Sequence, residues 1–268
     1  LKVVTRQNDE VSCAIWDLDY IAQTGKWRLI IEEPTSDDLD ILNECAGEGP
    51  GTLVLWQECD RLLSARYSNP TTRAFSAAVT RALLSLRQHL SMVFQRFLDP
   101  DDDRAPNIEI IVNDATKPLK PWDPFCRAAG SEFCGERSYE VAIDDVKAKV
   151  SMKGYIVPQR DELESLEQQQ LVMPSYKNDS LKEYSEESLS GFYIYRENRL
   201  IHWGDWFNMP GVDFHSKLCR FELDFTSELD DLFQVDVKKS RVLLSEDLRD
   251  QIVQDAVPVH NEGKRRYR

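Results

Sequence analysis

Two adjacent lysines, Lys238 and Lys239, stand in the stretch VDVKKSRVLL, where the pattern of a strand gives way to that of a helix. A lysine ammonium is a compact point charge that binds a terminal phosphate well, so one of these side chains could contact a phosphoryl group. The pair could equally be a solvated turn, which is the usual role of charged residues in a loop. The residues by themselves leave both interpretations open.

A glycine-rich turn, GEGPGT, spans residues 47–52 and leads into a strand pattern. Glycine allows a backbone to approach a ligand closely, so Gly51 and Thr52 are candidate ligand contacts. The turn has neither the lysine of a P-loop nor the spacing of a dinucleotide-binding loop. A purely structural turn is therefore the alternative interpretation.

Metal and hydrolase chemistry find less support in the sequence. His202 and His215 could be drawn with Asp205 and Asp213 as a metal cluster, but their spacing matches no zinc-ligand pattern. The six cysteines form no C-x-x-C pair, and no nucleophile elbow G-x-S-x-G occurs. The sequence therefore predicts no metal site, no disulfide and no self-contained serine hydrolase.

Short alternating segments predict a chain built largely from strands. They cover residues 1–6, 11–18, 26–33, 49–58, 108–114, 137–143, 146–157, 191–196, 199–204 and 217–225. The first two segments are joined by a hairpin turn, and Glu197-Asn198 marks a second hairpin. Such strands must meet in a sheet that positions any site residue.

Helical patterns are fewer. Between Thr72 and Leu98 apolar residues recur at three- and four-residue steps, which predicts the longest helix, with a packing face of Phe75, Leu86, Val93 and Phe97. Ser36 and Ser245 are candidate N-caps of two further helices. Many strands with few helices predict an α+β fold, a mixed sheet with helices on one face.

Charge and length exclude some classes of function. The chain has 268 residues and a formal net charge of −14, so DNA binding is possible but not supported. The basic end, Lys264–Arg268, could be a solvated tail or a phosphate or partner contact. No apolar run reaches the roughly 18 residues of a membrane helix and no signal segment opens the chain, so we expect a cytoplasmic protein without membrane contact.

Five segments in order resemble the bacterial MORC-like members of the GHKL ATPases, the superfamily of gyrase, heat-shock chaperones, histidine kinases and the mismatch-repair protein MutL. Residues 51–62, GTLVLWQECDRL, resemble the last glycine motif of the Bergerat nucleotide fold, in which Gly-Thr opens a strand. The segments that resemble the transducer domain that follows are residues 86–98, 110–125, 191–204 and 228–242.

This resemblance implies a domain organisation. Residues 1–60 would be the last strands of the GHKL nucleotide-binding domain, residues 68–258 a ribosomal-S5-like transducer, and residues 259–268 a basic tail. The transducer of such an ATPase couples ATP binding and hydrolysis to dimerisation and conformational change. The resemblance thus implies ATP and Mg as cofactors of the full-length protein, and a homodimer that forms on ATP binding.

The superfamily's main ATP-binding elements are missing from this sequence: a helix carrying E-x-x-x-N, a D-x-G-x-G turn and a glycine-rich lid. The catalytic glutamate and the magnesium-binding asparagine would then belong to an upstream nucleotide-binding region of the same protein, or to another chain. We therefore expect that this chain alone does not hydrolyse ATP and holds no tightly bound cofactor.

The resemblance also assigns roles to single residues. In mismatch-repair relatives a lysine from a transducer loop contacts the γ-phosphate of ATP, and KSRV places Lys239 in that position. Lys238 is adjacent, so the register between the two lysines stays open. Gly51 and Thr52 would border the nucleotide, with Thr52 near the adenine side. The competing interpretation is a non-catalytic scaffold or protein-interaction module without a nucleotide role.

Overall fold

The computed structural model describes residues 1–8, 10–59, 62–63, 69–113, 117–143, 146–165, 188–230 and 244–267. Within these residues the chain forms two sheets and five α-helices, which confirms the predicted α+β class. The chain divides into two compact units, Leu1–Ala78 and Val79–Arg268, which we call unit 1 and unit 2.

Unit 1 is built on a small antiparallel sheet. Its elements are β1 Lys2–Gln7, β2 Glu10–Ile15, α1 Leu18–Thr24, β3 Ile30–Glu32, α2 Ser36–Ala46 and β4 Gly51–Leu55. The strands lie in the order β3-β2-β1-β4, and every neighbouring pair is antiparallel. The predicted first hairpin is confirmed, with β1 and β2 joined through a turn at Asn8.

The helix α1 was not predicted, because its sequence continues a strand pattern. The carboxylate of Asp17 accepts hydrogen bonds from the backbone N–H groups of Asp19 and Tyr20 at 2.9 and 3.1 Å. An aspartate in this position satisfies the free donors of a helix start. The strand predicted up to residue 18 therefore ends at Ile15, and the chain turns into a helix.

The helix α2 begins after Thr35, which is its N-cap in place of the predicted Ser36. The Thr35 hydroxyl accepts from the backbone N–H of Asp38 at 3.2 Å, and the Asp38 carboxylate accepts from the backbone N–H of Thr35 at 2.9 Å. This reciprocal pair is a capping box. One face of the sheet packs against α2 through a core of Val4, Cys13 and Leu42.

Unit 2 is built on a larger, mixed sheet. Its strands are β5 Glu132–Ile143, β6 Val146–Ile156, β7 Gly191–Arg196, β8 Arg199–Asp205 and β9 Cys219–Phe225. They lie in the order β5-β6-β9-β7-β8, with β7 and β9 parallel and the other pairs antiparallel. The Glu197-Asn198 turn joins β7 to β8 as predicted, and both of its residues have positive φ. The predicted mixed sheet is confirmed.

The remaining helices are α3 Arg73–Val93, α4 Gln95–Leu98 and α5 Glu246–Tyr267. They cover both faces of the unit 2 sheet, so the prediction of helices on one face is wrong. On one face, Phe221 of β9 shares a core with Ile252 of α5. On the other, Tyr193 of β7 shares a core with Met92 of α3. Since successive side chains of a strand point to opposite faces, central strands such as β7 and β9 serve both layers.

The long helix predicted over residues 72–98 is interrupted at Phe94, which separates α3 from α4. The side chains buried near its end are Gln88, Met92, Val93, Gln95, Arg96 and Leu98. Leu86, expected on the packing face, is 44% exposed. Among the described residues α5 is the longest helix, with 22 residues against 21 in α3, so that prediction is wrong. None of the helices in the described ranges is long and apolar enough to cross a membrane.

Two further elements differ from the prediction. Residues 108–113 form no strand: the Ile108 N–H donates to the carbonyl of Phe97 on α4 at 2.8 Å, and the Ile110 carbonyl accepts from the N–H of Leu119 at 2.8 Å. The helix α5 continues through Pro258 to Tyr267, so the described part of the predicted basic tail is helical. The Lys264 ammonium helps to hold this last turn, lying 2.7 Å from the Asp213 carboxylate.

Candidate functional site

The two candidate ligand contacts of the glycine-rich turn, Gly51 and Thr52, are the first residues of β4 and lie on opposite faces of the unit 1 sheet. Gly51 pairs with Arg6 and faces α2, whereas Thr52 pairs with Thr5 and faces away from α2. The alternation of a strand separates the two side-chain positions. The structure therefore does not bring Gly51 and Thr52 to one surface.

Gly51 has a packing reason to be glycine. A Cβ atom at this position would lie 2.7 Å from the Cβ of Ala46 and 3.5 Å from Cδ1 of Leu42, both on α2. The first distance is too short for two carbon atoms, so only glycine lets β4 and α2 approach this closely. Contact with a ligand is not needed to explain this residue.

The turn before β4 is held by Arg6. Its Nε donates to the Gly49 carbonyl at 2.8 Å, its Nη1 donates to Oδ1 of Asn43 at 2.7 Å, and its Nη2 donates to the Gly47 carbonyl. The carbonyl groups of the turn thus serve as acceptors for an arginine of the same unit. This arrangement fits the structural interpretation of the turn and keeps the start of β4 in register with β1.

Thr52 belongs to a row of hydroxyl groups on the open face of the sheet, by which we mean the face not covered by α2. Ser12, Thr5 and Thr52 lie side by side on β2, β1 and β4, since Thr5 pairs directly with both of the others. The Oγ1 atoms of Thr5 and Thr52 are 2.8 Å apart. Directly opposite residues of an antiparallel pair lie on the same face, so the register itself assembles this row.

Apolar side chains continue the open face next to the hydroxyl row. The next row across the four strands consists of Ile31, Ala14, Val3 and Val54. Ile31 is 70% exposed, and Trp56, two residues beyond Val54, is 72% exposed. Contiguous exposed apolar surface on a folded unit marks a binding or packing surface.

Aromatic residues extend this surface beyond the apolar row. Leu1 and Trp16 are joined by two backbone hydrogen bonds of 2.9 and 2.8 Å, and the rings of Trp16 and Trp27 meet edge to face at 5.8 Å. The motifs of the sequence did not predict this surface. The predicted strands carry apolar residues on both of their faces. This pattern is typical of strands that are covered on both sides.

The candidate lysines, Lys238 and Lys239, lie outside the described residues. The described chain before them ends with β9 and a short 3-10 helix, Ser227–Leu229, and resumes just before α5. Both flanking elements belong to unit 2. The lysines are therefore part of the connection from a central strand of the mixed sheet to the helix that covers one of its faces.

The histidines drawn as a metal cluster form separate pairs. His202 Nε2 lies 3.5 Å from Oδ2 of Asp205, and His215 Nδ1 lies 3.4 Å from Oδ1 of Asp213. Across the part of the chain that the structure describes, no group of three or more histidine, cysteine, aspartate or glutamate side chains could hold a metal ion.

A second polar constellation, absent from the sequence prediction, lies on the unit 2 sheet face that packs against Met92. Glu222 is fully buried there, and its Oε1 accepts from Nη2 of Arg96 at 2.9 Å and from Nη1 of Arg104 at 2.7 Å. Asp224 accepts from both Nη1 and Nη2 of the same Arg96 guanidinium. The alternation of charged and apolar residues in CRFELDF was the available signal.

A cleft of about 320 Å³ opens beside this constellation, lined by aspartates of the turn at 99–103 and by Arg104, Arg127, Lys153 and Tyr155. Its arginines are already paired: Arg104 lies 2.6 Å from Asp102 and Arg127 lies 2.8 Å from Asp123. The Arg104 guanidinium holds the pKa of Asp102 below its usual range. The arginines that line the cleft therefore already have carboxylate partners, and the cleft is not a prepared anion site.

A scan against protein families finds no match to this chain, and a search of curated proteins finds no relative.

Proposed function

We propose that this chain is the transducer-containing portion of a GHKL-type, MORC-like ATPase, with the end of the nucleotide-binding domain in unit 1. The observation that carries the proposal is the position of Thr52. It lies on the open face of the sheet, in a row of hydroxyl groups bordered by apolar side chains. A flat, largely apolar base with polar edge groups fits such a surface, and the resemblance places Thr52 on the adenine side.

The surface supports the base of a nucleotide better than its phosphates. Ser12, Thr5 and Thr52 offer hydroxyl groups, while Val3 and Val54 offer apolar contact. The missing sequence motifs assign the triphosphate and the magnesium ion to an upstream nucleotide-binding region, which we propose packs on the open face. Magnesium, when bound, neutralises charge on the phosphates. Burial of Ile31 and Trp56 by that region would remove their exposed apolar area from water.

Unit 2 would act as the transducer. The connection that contains Lys238 and Lys239 follows β9, and β9 is tied to the α3–α4 segment through the Arg96 ion pairs. A lysine on that connection that meets the γ-phosphate would stabilise negative charge on the transferring phosphoryl group. Loss of the γ-phosphate would release the lysine side chain and let the connection move. The buried ion pairs of Arg96 would transmit this movement from β9 to the α3–α4 segment.

The test is ATP turnover by the full-length protein. Lys239→Ala should slow hydrolysis by about ten- to a thousandfold, the effect of losing one preorganised donor, and should leave ADP binding unchanged because ADP has no γ-phosphate. Lys238→Ala is the matched control and should have a much smaller effect, since the resemblance gives the contact with the γ-phosphate to Lys239. The reverse result would shift the register by one residue. No ATP turnover in the wild-type protein would refute the proposal.

A second candidate function, a protein-interaction module without a nucleotide role, is favoured by the same exposed apolar residues. Ile31→Lys and Trp56→Lys would then weaken binding of a protein partner. If the wild-type protein shows no measurable ATP binding and these variants lose the protein partner, the result would support an interaction module and not an ATPase. In the ATPase, the same variants should weaken ATP binding, because the upstream region would no longer pack on the open face.

A further inference from the structure

The hydroxyl group of Thr5 has two hydrogen-bond neighbours on β4. Its Oγ1 lies 2.8 Å from Oγ1 of Thr52 and 3.3 Å from the carbonyl oxygen of Gly51. A threonine hydroxyl has one proton to donate, and a carbonyl oxygen can only accept. Both hydrogen bonds form together only when Thr5 donates to Gly51 and accepts from Thr52.

This arrangement sets the direction of the Thr52 hydroxyl. With its proton directed to Thr5, Thr52 presents its lone pairs to the open face, where its side chain is exposed. If Thr5 instead donated to Thr52, the Gly51 carbonyl would lose this side-chain donor and only one of the two bonds would remain. The arrangement in which Thr5 donates to Gly51 and accepts from Thr52 is favoured, because each hydrogen bond adds to the net stability.

We infer that Thr5 is a positioning residue that makes Thr52 a hydrogen-bond acceptor, so that the site selects a base with an amino group at the contacted position, such as the 6-amino group of adenine. The inference rests on the proposed function. Hypoxanthine carries a carbonyl oxygen in place of that amino group, and two acceptors facing each other would lose the bond. Thr5 would act through Thr52 and need not touch the nucleotide.

The experiment compares affinities of the full-length protein for ATP and for inosine triphosphate by calorimetry, without turnover as a readout. The wild-type protein should prefer ATP by about tenfold, the size expected for one hydrogen bond. Thr5→Val keeps the shape of the side chain and removes its hydroxyl, so Thr52 can turn its proton outward and the preference should fall to about one- to threefold. Thr5→Ser restores the hydroxyl and should restore the preference.

Thr24→Val is the matched control. Thr24 lies on α1 of the same unit, where its hydroxyl donates to the Tyr20 carbonyl at 2.8 Å, and its replacement leaves the pair of Thr5 and Thr52 intact. It should leave the ratio of the two affinities unchanged. Thermal unfolding of each variant checks that the sheet itself is retained.

The possible outcomes separate the inference from the proposed function. An unchanged ratio in Thr5→Val, or an equal loss of affinity for both nucleotides, would overturn the role of Thr5 while ATP binding by the wild-type protein still supports the ATPase. Equal wild-type affinity for the two nucleotides would also overturn it. If the wild-type protein binds neither nucleotide, the proposed function and this inference fail together.

Discussion

Arg96 and Glu222, which are 126 residues apart in the sequence, form an ion pair in which both side chains are fully buried. The Arg96 guanidinium also binds Asp224 and lies over the ring of Tyr195, 3.6 Å from its centroid. Two carboxylates on one strand thus face a single cation on the segment that ends the long helix. Burial of charge on this scale is tolerated only because the partners are present.

Removing the cation should destabilise unit 2. In Arg96→Met two carboxylates lose their shared buried partner, so we expect the free energy of unfolding to fall by about 3–5 kcal/mol. Urea unfolding measures the change. The control is Arg249→Met: Arg249 pairs with the exposed Asp250 at 2.9 Å, and loss of a surface pair should cost less than about 1 kcal/mol. Equal effects of the two variants would contradict the structural role given to Arg96.

Adding Glu222→Gln to Arg96→Met should restore part of the lost stability. The neutral amide removes the buried charge that has lost its fully buried cation, so the double variant should unfold at higher urea concentration than Arg96→Met alone. A double variant that is less stable than Arg96→Met would show that Glu222 is held mainly by Arg104 and Lys153, whose nitrogen atoms lie 2.7 and 3.9 Å from it.

Gly51→Ala should destabilise unit 1 by about 1–3 kcal/mol, because the new methyl group would overlap Ala46 and force β4 away from α2. Gly49→Ala is the matched control in the same turn. The nearest atom to its added Cβ is the Ala46 carbonyl oxygen at 3.6 Å, an ordinary contact. Chemical unfolding of the two variants gives the comparison. Equal stability of both would show that β4 and α2 can separate without loss.

His260 should make stability depend on pH. It is buried on α5 with Nε2 2.8 Å from Oγ of Ser216. Burial lowers the pKa of His260; Lys264 lowers it further, and Asp213 acts in the opposite direction. The unfolded chain therefore takes up the proton first, and stability should fall as pH drops below the unfolded value of about 6.5. In His260→Asn the free energy of unfolding should lose this dependence; an unchanged pH profile would contradict the assignment.

The 268-residue chain alone should bind ATP only weakly. Its open face offers a few hydroxyl and apolar contacts, while the sequence lacks the motifs that hold adenine, the phosphates and magnesium. Calorimetry of the isolated chain is expected to show no affinity in the micromolar range. Micromolar binding would mean that the site is complete without an upstream region, and the proposed division of the ATPase would be wrong.

Local sequence patterns determined most of the secondary structure. Alternation predicted the strands of both sheets, and Glu197-Asn198 predicted the hairpin between β7 and β8, because these signals depend on residues close in the chain. The pattern failed at residues 108–113, where apolar character is strand-like but the backbone bonds to Phe97 of α4 and to Leu119. It also failed after Ile15, where the cap at Asp17 outweighs the alternation.

Only the tertiary structure decided which side chains meet. The sequence named Thr52 as a candidate, but its pairing with Thr5, 47 residues away, follows from the register between β1 and β4. The sequence likewise did not show that Arg96 would lie on a sheet face opposite to α5. A shift of one residue in register would move every side chain of a strand to the other face. Register is set by burial of the whole core, and no short stretch of sequence contains that information.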